Sequence, residues 1–559
     1  QKRFIMKNKK TVNITFMEFC ITAIIFLYTA SVSWADNPVN VFPPPQKYEQ
    51  GKGVAVISDG WGILQDKKNA DNPHLVAYLS ERISHQFGLE LRIDDIVGAG
   101  NRKRISFGNL DARNLPVSAK EGYVLNISPD SIEILSGTPD GAFRGIQTLC
   151  QLIRRERGKV YVSSCKITDY PRIEIRAVHF SGINPDKIKQ QIERVARLKY
   201  NMVIIESQVY FDLGREDNRV LLEDIFRFAR ERYIEPVPEV LSFASAQGIL
   251  TQDPHTAEGI RIENREFRFI RDIAQPTDNL PFANVIIDGA DEVSVKSKDL
   301  RKTYTKDKDY KVALGNVGFP FRAATLPARI TRTPDSRIRG GEEVLVSYTY
   351  IENKPSFDFP DSSLTYCPSS EKTYAIMSRT IENVLDILKP AYISIGHDEI
   401  RGMNRDKRCR ERNLSNAEIL SEDINRLYGI IKNIDSEVQV LIWNDMLNPY
   451  YNGGNPDFNS QYEGLPGKTY TAIDSIPNDI ILMTAAYDPN KSFCVKSSNY
   501  FDSKQFKYLV ASWKNKQNIN EWVEIAKGRK NCLGIIETTW YDWEGNFDNI
   551  KYAAGAAWH

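Results

Sequence analysis

From about residue 173 the chain alternates short apolar runs with helix-patterned segments, and this alternation restricts the fold more than any other feature. Ile173–Phe180, Met202–Glu206 and Pro236–Leu241 read as strands, with helices over Pro185–Leu198 and Leu221–Arg232 between them. Glu371–Lys389 predicts a helix with Ile376, Ile381, Val384, Leu385 and Leu388 inward. Strand four follows at Tyr392-Ile-Ser-Ile-Gly-His-Asp-Glu399, a β-branched run that ends in three ionisable residues. Helix Ala417–Ile434, strand Val438–Leu447, strand Ile480–Tyr487, strand Tyr508–Trp513, helix Ile519–Gly528 and strand Cys532–Trp540 continue the rhythm. Strands separated by helices signal a parallel sheet with right-handed crossovers, and this many units over 169–559 favour an α/β (β/α)8 TIM barrel. An eighth helix begins at Asn549 and stops early at His559, which leaves barrel closure expected to be incomplete.

The rhythm breaks over 249–360, where Phe267–Ile270, Asn284–Ile287 and Val344–Tyr350 alternate like strands, with Gly and Pro turns and no helix pattern. This predicts a β-rich insertion after barrel strand three, too patterned for a bare loop and placed to wall the mouth of the barrel. Residues 36–168 read as a small α/β domain before the barrel. Its strands are expected near Val54–Ile57, Leu89–Ile93, Arg104–Phe107, Tyr123–Ile127 and Ser131–Leu135, with helices over Asn72–Phe87 and Asp140–Ile153. Residues 1–35 read as a signal peptide: Lys7, Lys9 and Lys10 precede an apolar run from Phe19 to Ala30, then Ser33-Trp34-Ala35. That run is short for a transmembrane span, so an exported protein without stable membrane insertion is expected.

A net charge of +1 over 559 residues gives no reason to expect nucleic acid or an anionic membrane as partner. Beyond Cys20 in the leader, six widely spaced cysteines show no CxxC and indicate no zinc site; an oxidising compartment would allow one or two bridges whose pairing spacing leaves open. His397, Asp398 and Glu399 are metal-ligand types, but consecutive side chains seldom converge on one ion, so no metal and no cofactor is expected. Oligomeric state is left open.

From strand four on, every strand ends in an aromatic, a carboxylate or both: His397/Asp398/Glu399, Trp443/Asp445, Tyr487/Asp488, Trp513, Trp540/Asp542. The C-terminal rim of a barrel is where its chemistry sits. Stacking faces between hydrogen-bonding carboxylates are the composition of a sugar pocket. For both Asp398 and Glu399 to reach one ligand, the strand must end near Asp398 and the backbone must turn, because neighbours on a strand face opposite ways.

Two stretches resemble glycoside hydrolase family 20, the β-N-acetylhexosaminidases. Residues 122–153 (GYVLNISPDSIEILSGTPDGAFRGIQTLCQLI) resemble the small domain in front of that family's barrel. Ile395-Gly-His-Asp-Glu399 resembles its (I/V)GGDE motif after strand four. The resemblance implies a retaining, substrate-assisted hydrolysis of terminal β-linked N-acetylhexosamine (GlcNAc or GalNAc) from a glycan, the exception to the two-carboxylate scheme. Glu399 is then the general acid/base and Asp398 the holder of the 2-acetamido group. Arg176 matches the arginine on the sugar's distal hydroxyls, Tyr487 the tyrosine on the acetamido carbonyl, and Trp443 and Trp540 the pocket walls. Asp542 stands where the family has a Trp-x-Glu carboxylate, Asp445 and His397 are further substrate-binding candidates, and Glu239 in Pro238-Glu-Val240 has a structural or supporting role.

The departures from the family pattern are specific. His397 replaces the motif's second Gly. Ala177-Val-His179-Phe-Ser lacks the Asp that follows the family's Arg, Ser242-Phe-Ala-Ser245 replaces a PGH stretch, and Ile205-Glu-Ser-Gln-Val-Tyr210 replaces a segment with His and Asp. A non-catalytic glycan-binding barrel derived from the family is the alternative reading.

Overall fold

Eight short parallel strands form the ring that the alternation predicts: Ile175–Phe180, Met202–Glu206, Glu235–Ser242, Tyr392–Gly396, Gln439–Trp443, Ile481–Ala485, Tyr508–Ser512 and Cys532–Thr538. The computed structural model describes residues 40–65, 72–95, 103–110, 120–182, 184–287, 292–317, 326–351, 364–452 and 467–559; the leader over 1–35 lies outside them. Strand eight pairs with strand one from Gly534↔Ile175 to Thr538↔His179, so the barrel closes, contrary to the expectation of incomplete closure. Gly534 is required there, since a Cβ would stand 2.0 Å from the Ile175 carbonyl oxygen. The last helix starts at Trp543 rather than Asn549 and runs to Trp558. Among the described residues, no helix is long and apolar enough to cross a membrane.

Side-chain parity along the strands divides the barrel into an interior and a shell. Ala177, Met202, Ile204, Val237, Leu441, Trp443, Ile481, Met483, Leu509, Ala511 and Ile536 fill the interior. Their neighbours Val178, Val203, Ile205, Val240, Ile393, Ile395, Val440, Ile442, Val510 and Ile535 join the core beneath the helices. Extending the inward set by one step at the C-terminal ends brings His179, Glu206, Glu239 and Trp513 toward the mouth.

The N-terminal domain is an eight-stranded mixed sheet in which Lys47–Ile57 and Lys159–Asp169 pair antiparallel at one side. Helices Asn72–Phe87 and Pro139–Leu152 share its core; Thr138 caps the second by accepting from the Gly141 amide. The domain is bolted to the underside of the barrel by buried charges. Glu121 receives Arg144 Nε at 2.7 Å and Arg176 Nη2 at 2.6 Å, and Asp169 receives Lys199 Nζ and Trp558 Nε1, each at 2.7 Å.

The insertion is a second eight-stranded sheet between Ile260 and Tyr350, with its own core around Phe267, Phe269, Phe282, Val344, Val346 and Tyr348. Its longest strand, Ile260–Ile270, pairs antiparallel with Glu343–Tyr350. The segment before it is helical, over Gln247–Gln252 and Pro254–Thr256, where no helix was expected. The two roots of the insertion are zipped together by the Glu258 amide on the Thr365 carbonyl (2.9 Å) and the Cys367 amide on the Thr256 carbonyl (2.7 Å).

Candidate active site

Strand four ends at Gly396, and the chain turns at once. Gly396, His397 and Glu399 have φ of 64°, 67° and 48°, all left-handed. This conformation suits Gly and costs other residues about 1–2 kcal/mol each, so something must hold it. Two anchors do. The Glu399 amide donates to Asp445 Oδ2 at 2.7 Å, across from strand five. His397 turns its ring down into the barrel shell, fully buried, with Nε2 2.8 Å from Asp423 Oδ2 and Nδ1 2.8 Å from the Ile395 carbonyl and 3.1 Å from Ser242 Oγ. Asp423, on helix Asn416–Ile434, also accepts from the hydroxyls of Tyr366 (2.8 Å) and Tyr374 (2.6 Å). The backbone turn therefore aims Asp398 and Glu399 into the same space, as the sequence argument required.

That space is a cleft of about 1730 Å³ at the C-terminal face. Of the residues expected at a site, Asp398, Glu399, Trp443, Asp445, Tyr487 and Trp540 line it. Three do not. Arg176 has the outward parity of strand one and lies at its N-terminal end: its guanidinium donates to Glu121 and to the carbonyls of Ile173, Glu174 and Lys199, on the face opposite the cleft. Its assignment to sugar hydroxyls is corrected to a domain-interface arginine. His397 is an anchor beneath the turn rather than a contact surface. Asp542 caps the last helix by accepting from the Gly545 amide (3.0 Å) and pairs with Lys514 (2.7 Å), which itself lines the cleft. Of the insertion expected over 249–360, Thr251 and Gln252 at its start line the cleft, while none of the described residues of its sheet, from 260 to 351, does.

The aromatic side is a wall of tilted and edge-on rings. Trp443 and Trp540 lie 5.7 Å apart at 39°, Tyr487 meets Trp513 at 5.7 Å and Trp540 at 6.2 Å, and His179 packs under Trp540 at 4.9 Å. Glu239 holds this wall: Oε1 accepts Trp443 Nε1 at 2.6 Å and Oε2 faces His179 Nε2 at 2.6 Å. The supporting role expected of Glu239 thus has a geometry. His179 and Glu206 went unassigned in the sequence, although strand parity alone points both into the barrel mouth.

The polar side is a crowd of acids. Burial first, then the charges of Asp445, Glu239, Glu399 and Glu206, push the Asp398 carboxyl well above its ordinary range. Burial pushes Asp445 up to about 7 and also raises Glu206, against the pull of His179. His179 is raised as well: burial alone would lower it, and the Glu239 charge and hydrogen bond outweigh that. Glu399 has a cation of its own, Arg401 Nη1 at 2.5 Å from Oε2. Carboxyls with environments this different are the raw material for acid/base work.

The family model described as glycosyl hydrolase family 20, domain 2, matches residues 38–170, and that described as glycosyl hydrolase family 20, catalytic domain, matches 336–553. No curated protein sequence matches the chain. Among solved structures, the chitobiase of Flavobacterium johnsoniae is similar with a TM-score of 0.59 at 16% identity, over 93% of this chain and 69% of that one. The β-N-acetylhexosaminidase of Bacteroides fragilis is similar with a TM-score of 0.58 at 13% identity, over 93% and 91% of the two chains. A GH20 β-N-acetylhexosaminidase of Streptomyces coelicolor gives 0.56 at 13%, over 93% and 90%. At these identities the structural likeness speaks for the fold, and the two family models, which between them take in most of the N-terminal domain and barrel strands four to eight, speak for kinship: the chain belongs to glycosyl hydrolase family 20.

Proposed function

We propose that the protein is a β-N-acetylhexosaminidase that removes terminal β-linked N-acetylhexosamine by a retaining, substrate-assisted route. The observation that carries this reading is the left-handed turn at Gly396–Glu399, which sets two adjacent carboxyls into one aromatic-walled cleft. Asp398 holds the acetamido N–H, and the acetamido oxygen attacks the anomeric carbon. Glu399 gives its proton to the departing glycosidic oxygen. The resulting oxazolinium ion is opened by water, whose proton returns to Glu399. Tyr487 serves the acetamido carbonyl, and Trp443 and Trp540 take the sugar's apolar face. Glu399→Gln is expected to lower turnover of an aryl β-N-acetylglucosaminide by roughly 10²–10⁴-fold. Unchanged turnover would remove Glu399 from the mechanism.

One observation favours a glycan-binding barrel without hydrolysis: Arg401 pairs with one oxygen of Glu399, the carboxyl that would have to carry the proton. That reading predicts sugar binding with no hydrolysis at any pH. A thiazoline analogue of the oxazolinium ion separates the two, because only a site built for the cyclised intermediate binds it tightly.

A further inference from the structure

Away from the cleft, four buried ligand-type side chains from three segments converge: Glu258, Cys367, Asp406 and Cys409, with their oxygen and sulfur atoms all within 4.8 Å of one another. Glu258 enters the insertion, Cys367 leaves it, and in the segment after strand four that begins with Arg401, Asp406 caps the short helix Lys407–Arg410 on which Cys409 sits. Cys367 Sγ and Cys409 Sγ are 3.4 Å apart, Cys409 Sγ is 3.2 Å from Glu258 Oε2, and Cys367 Sγ is 3.8 Å from Asp406 Oδ1. Ligands at about 2.3 Å for sulfur and 2.1 Å for oxygen around a tetrahedral ion stand roughly 3.4–3.8 Å from one another.

The supporting contacts orient the cluster in the same sense. Glu258 spends Oε1 on the amides of Arg405 (2.6 Å) and Asp406 (3.2 Å), which turns Oε2 inward. Asp406 spends Oδ2 on Arg408 Nε (3.0 Å) and the Gly259 amide (3.4 Å), which turns Oδ1 inward, where it also meets the Cys409 amide (3.2 Å). Each carboxylate is fixed by one oxygen and offers the other, the arrangement by which outer contacts orient metal ligands. Two buried carboxylates sharing one guanidinium are undercompensated, and a dication answers that imbalance. Soft sulfur beside oxygen selects zinc over calcium or magnesium.

We propose that Glu258, Cys367, Asp406 and Cys409 bind one structural zinc ion, which pins the loop carrying Arg401 to the root of the insertion. On binding, each thiol gives its proton to solvent and ligates as thiolate. The site is closed and 0–8% exposed at each of its four residues, so its role is to hold and not to catalyse. It stands independently of what the cleft does.

The test uses the full chain, grown with zinc and desalted, with zinc(II) alone as the probe. Expected are about one zinc per chain and an X-ray absorption spectrum with a sulfur shell at about 2.3 Å and an oxygen shell at about 2.0–2.2 Å. Chelation should lower the thermal midpoint and open the arginine-rich stretch 401–412 to trypsin, both reversed by zinc(II). Cys409→Ser should lose the ion, and the milder Glu258→Gln should weaken its retention by roughly 10-fold or more. A chain that retains no zinc and does not take it up would overturn the proposal. So would a mass two hydrogens lighter that marks a Cys367–Cys409 disulfide, or a zinc shell without sulfur.

Discussion

His397 is the residue in the carboxylate motif that kinship does not explain, and replacing it with Gly, the family's residue there, tests what it does. The structure assigns it an anchoring load. The imidazole reaches Asp423 at 2.8 Å in a fully buried setting, and a hydrogen bond to such a charged partner is worth about 1.5–3 kcal/mol. Emptying the ring's place beside Phe243, 6.1 Å away edge-on, costs about 1 kcal/mol more. Against this, Gly relieves a φ of 67°, a gain of about 1 kcal/mol. The net expectation is a loss of about 2 kcal/mol, roughly 30-fold in the local folding equilibrium. Hydrogen exchange at the amides of strands three and four reads this locally in a chain of several cooperative units. Turnover should fall too, because a carboxyl misplaced by about 1 Å costs on the order of 10²-fold. Asp423→Asn should behave like His397→Gly, and the double variant should fall short of additivity by about 1 kcal/mol or more. If His397→Gly exchanged no faster than wild type, kept full turnover and added independently to Asp423→Asn, the anchoring argument would be wrong.

The crowd of acids predicts a pH profile. Asp398 is held well above its ordinary range, and Asp445 near 7, so the acid limb of kcat/KM should lie closer to neutral than an ordinary carboxylate would put it; Asp445→Asn should move it to lower pH, as read on the aryl substrate. The same burial makes the folded state hold protons more tightly at Asp445 and Glu537, both pushed up to about 7. Their contribution to stability is full below about pH 4 and is lost as pH rises toward 7, which thermal midpoints across that window check. Arg176→Ala should cost about 1.5–3 kcal/mol by removing one of the two guanidinium partners of buried Glu121, with Arg144 left in place, and limited proteolysis between the N-terminal domain and the barrel should accelerate while KM for those molecules still folded stays unchanged. Asp542→Ala removes a helix cap and should cost about 1 kcal/mol in thermal unfolding with little change in KM.

What could be read from the sequence was periodic or local. Strand–helix alternation carried the barrel, and period-two alternation carried the insertion. The strand ends carried eight cleft residues, Asp488 and Trp513 among them, because a rim position needs only the end of a strand and a residue type. Arg176 was misplaced for lack of one further step: Ala177 and His179 share its strand with opposite parity, so Arg176 faces the shell. His179 and Glu206 were legible by the same parity. The Asp423 anchor was not, since nothing local marks a helix residue as the partner of a motif histidine. The Glu258–Cys367–Asp406–Cys409 cluster was illegible for a related reason. Only Asp406-x-x-Cys409 is local; Cys367 lies 39 residues before Asp406 and Glu258 lies 148 before it, and the folding of the insertion brings them together.

The catalytic-domain match begins at residue 336 and so takes in strands four to eight, while the departures from the family pattern, His397 apart, fall on strands one to three. The physical content of that division is electrostatic. On the matched side, Asp398, Glu399, Asp445, Tyr487 and the tryptophans form the acid-and-wall arrangement. On the other side the guanidinium of Arg176 is committed to Glu121 beneath the barrel, and the mouth receives Glu206, His179 and Glu239 instead. The cationic side chains that do line the cleft, Arg379 and Lys514, are engaged by Gln252 and Asp542. A ligand's hydroxyls therefore meet a wall rich in acceptors and poor in free cations. Hydroxyl hydrogens donating to Glu206 fit that wall, and an anionic ligand does not. On the proposed function, the acids that cut and the walls that hold the sugar ring belong to the half that the family match covers, and Glu206 adds an acceptor from the half that it does not.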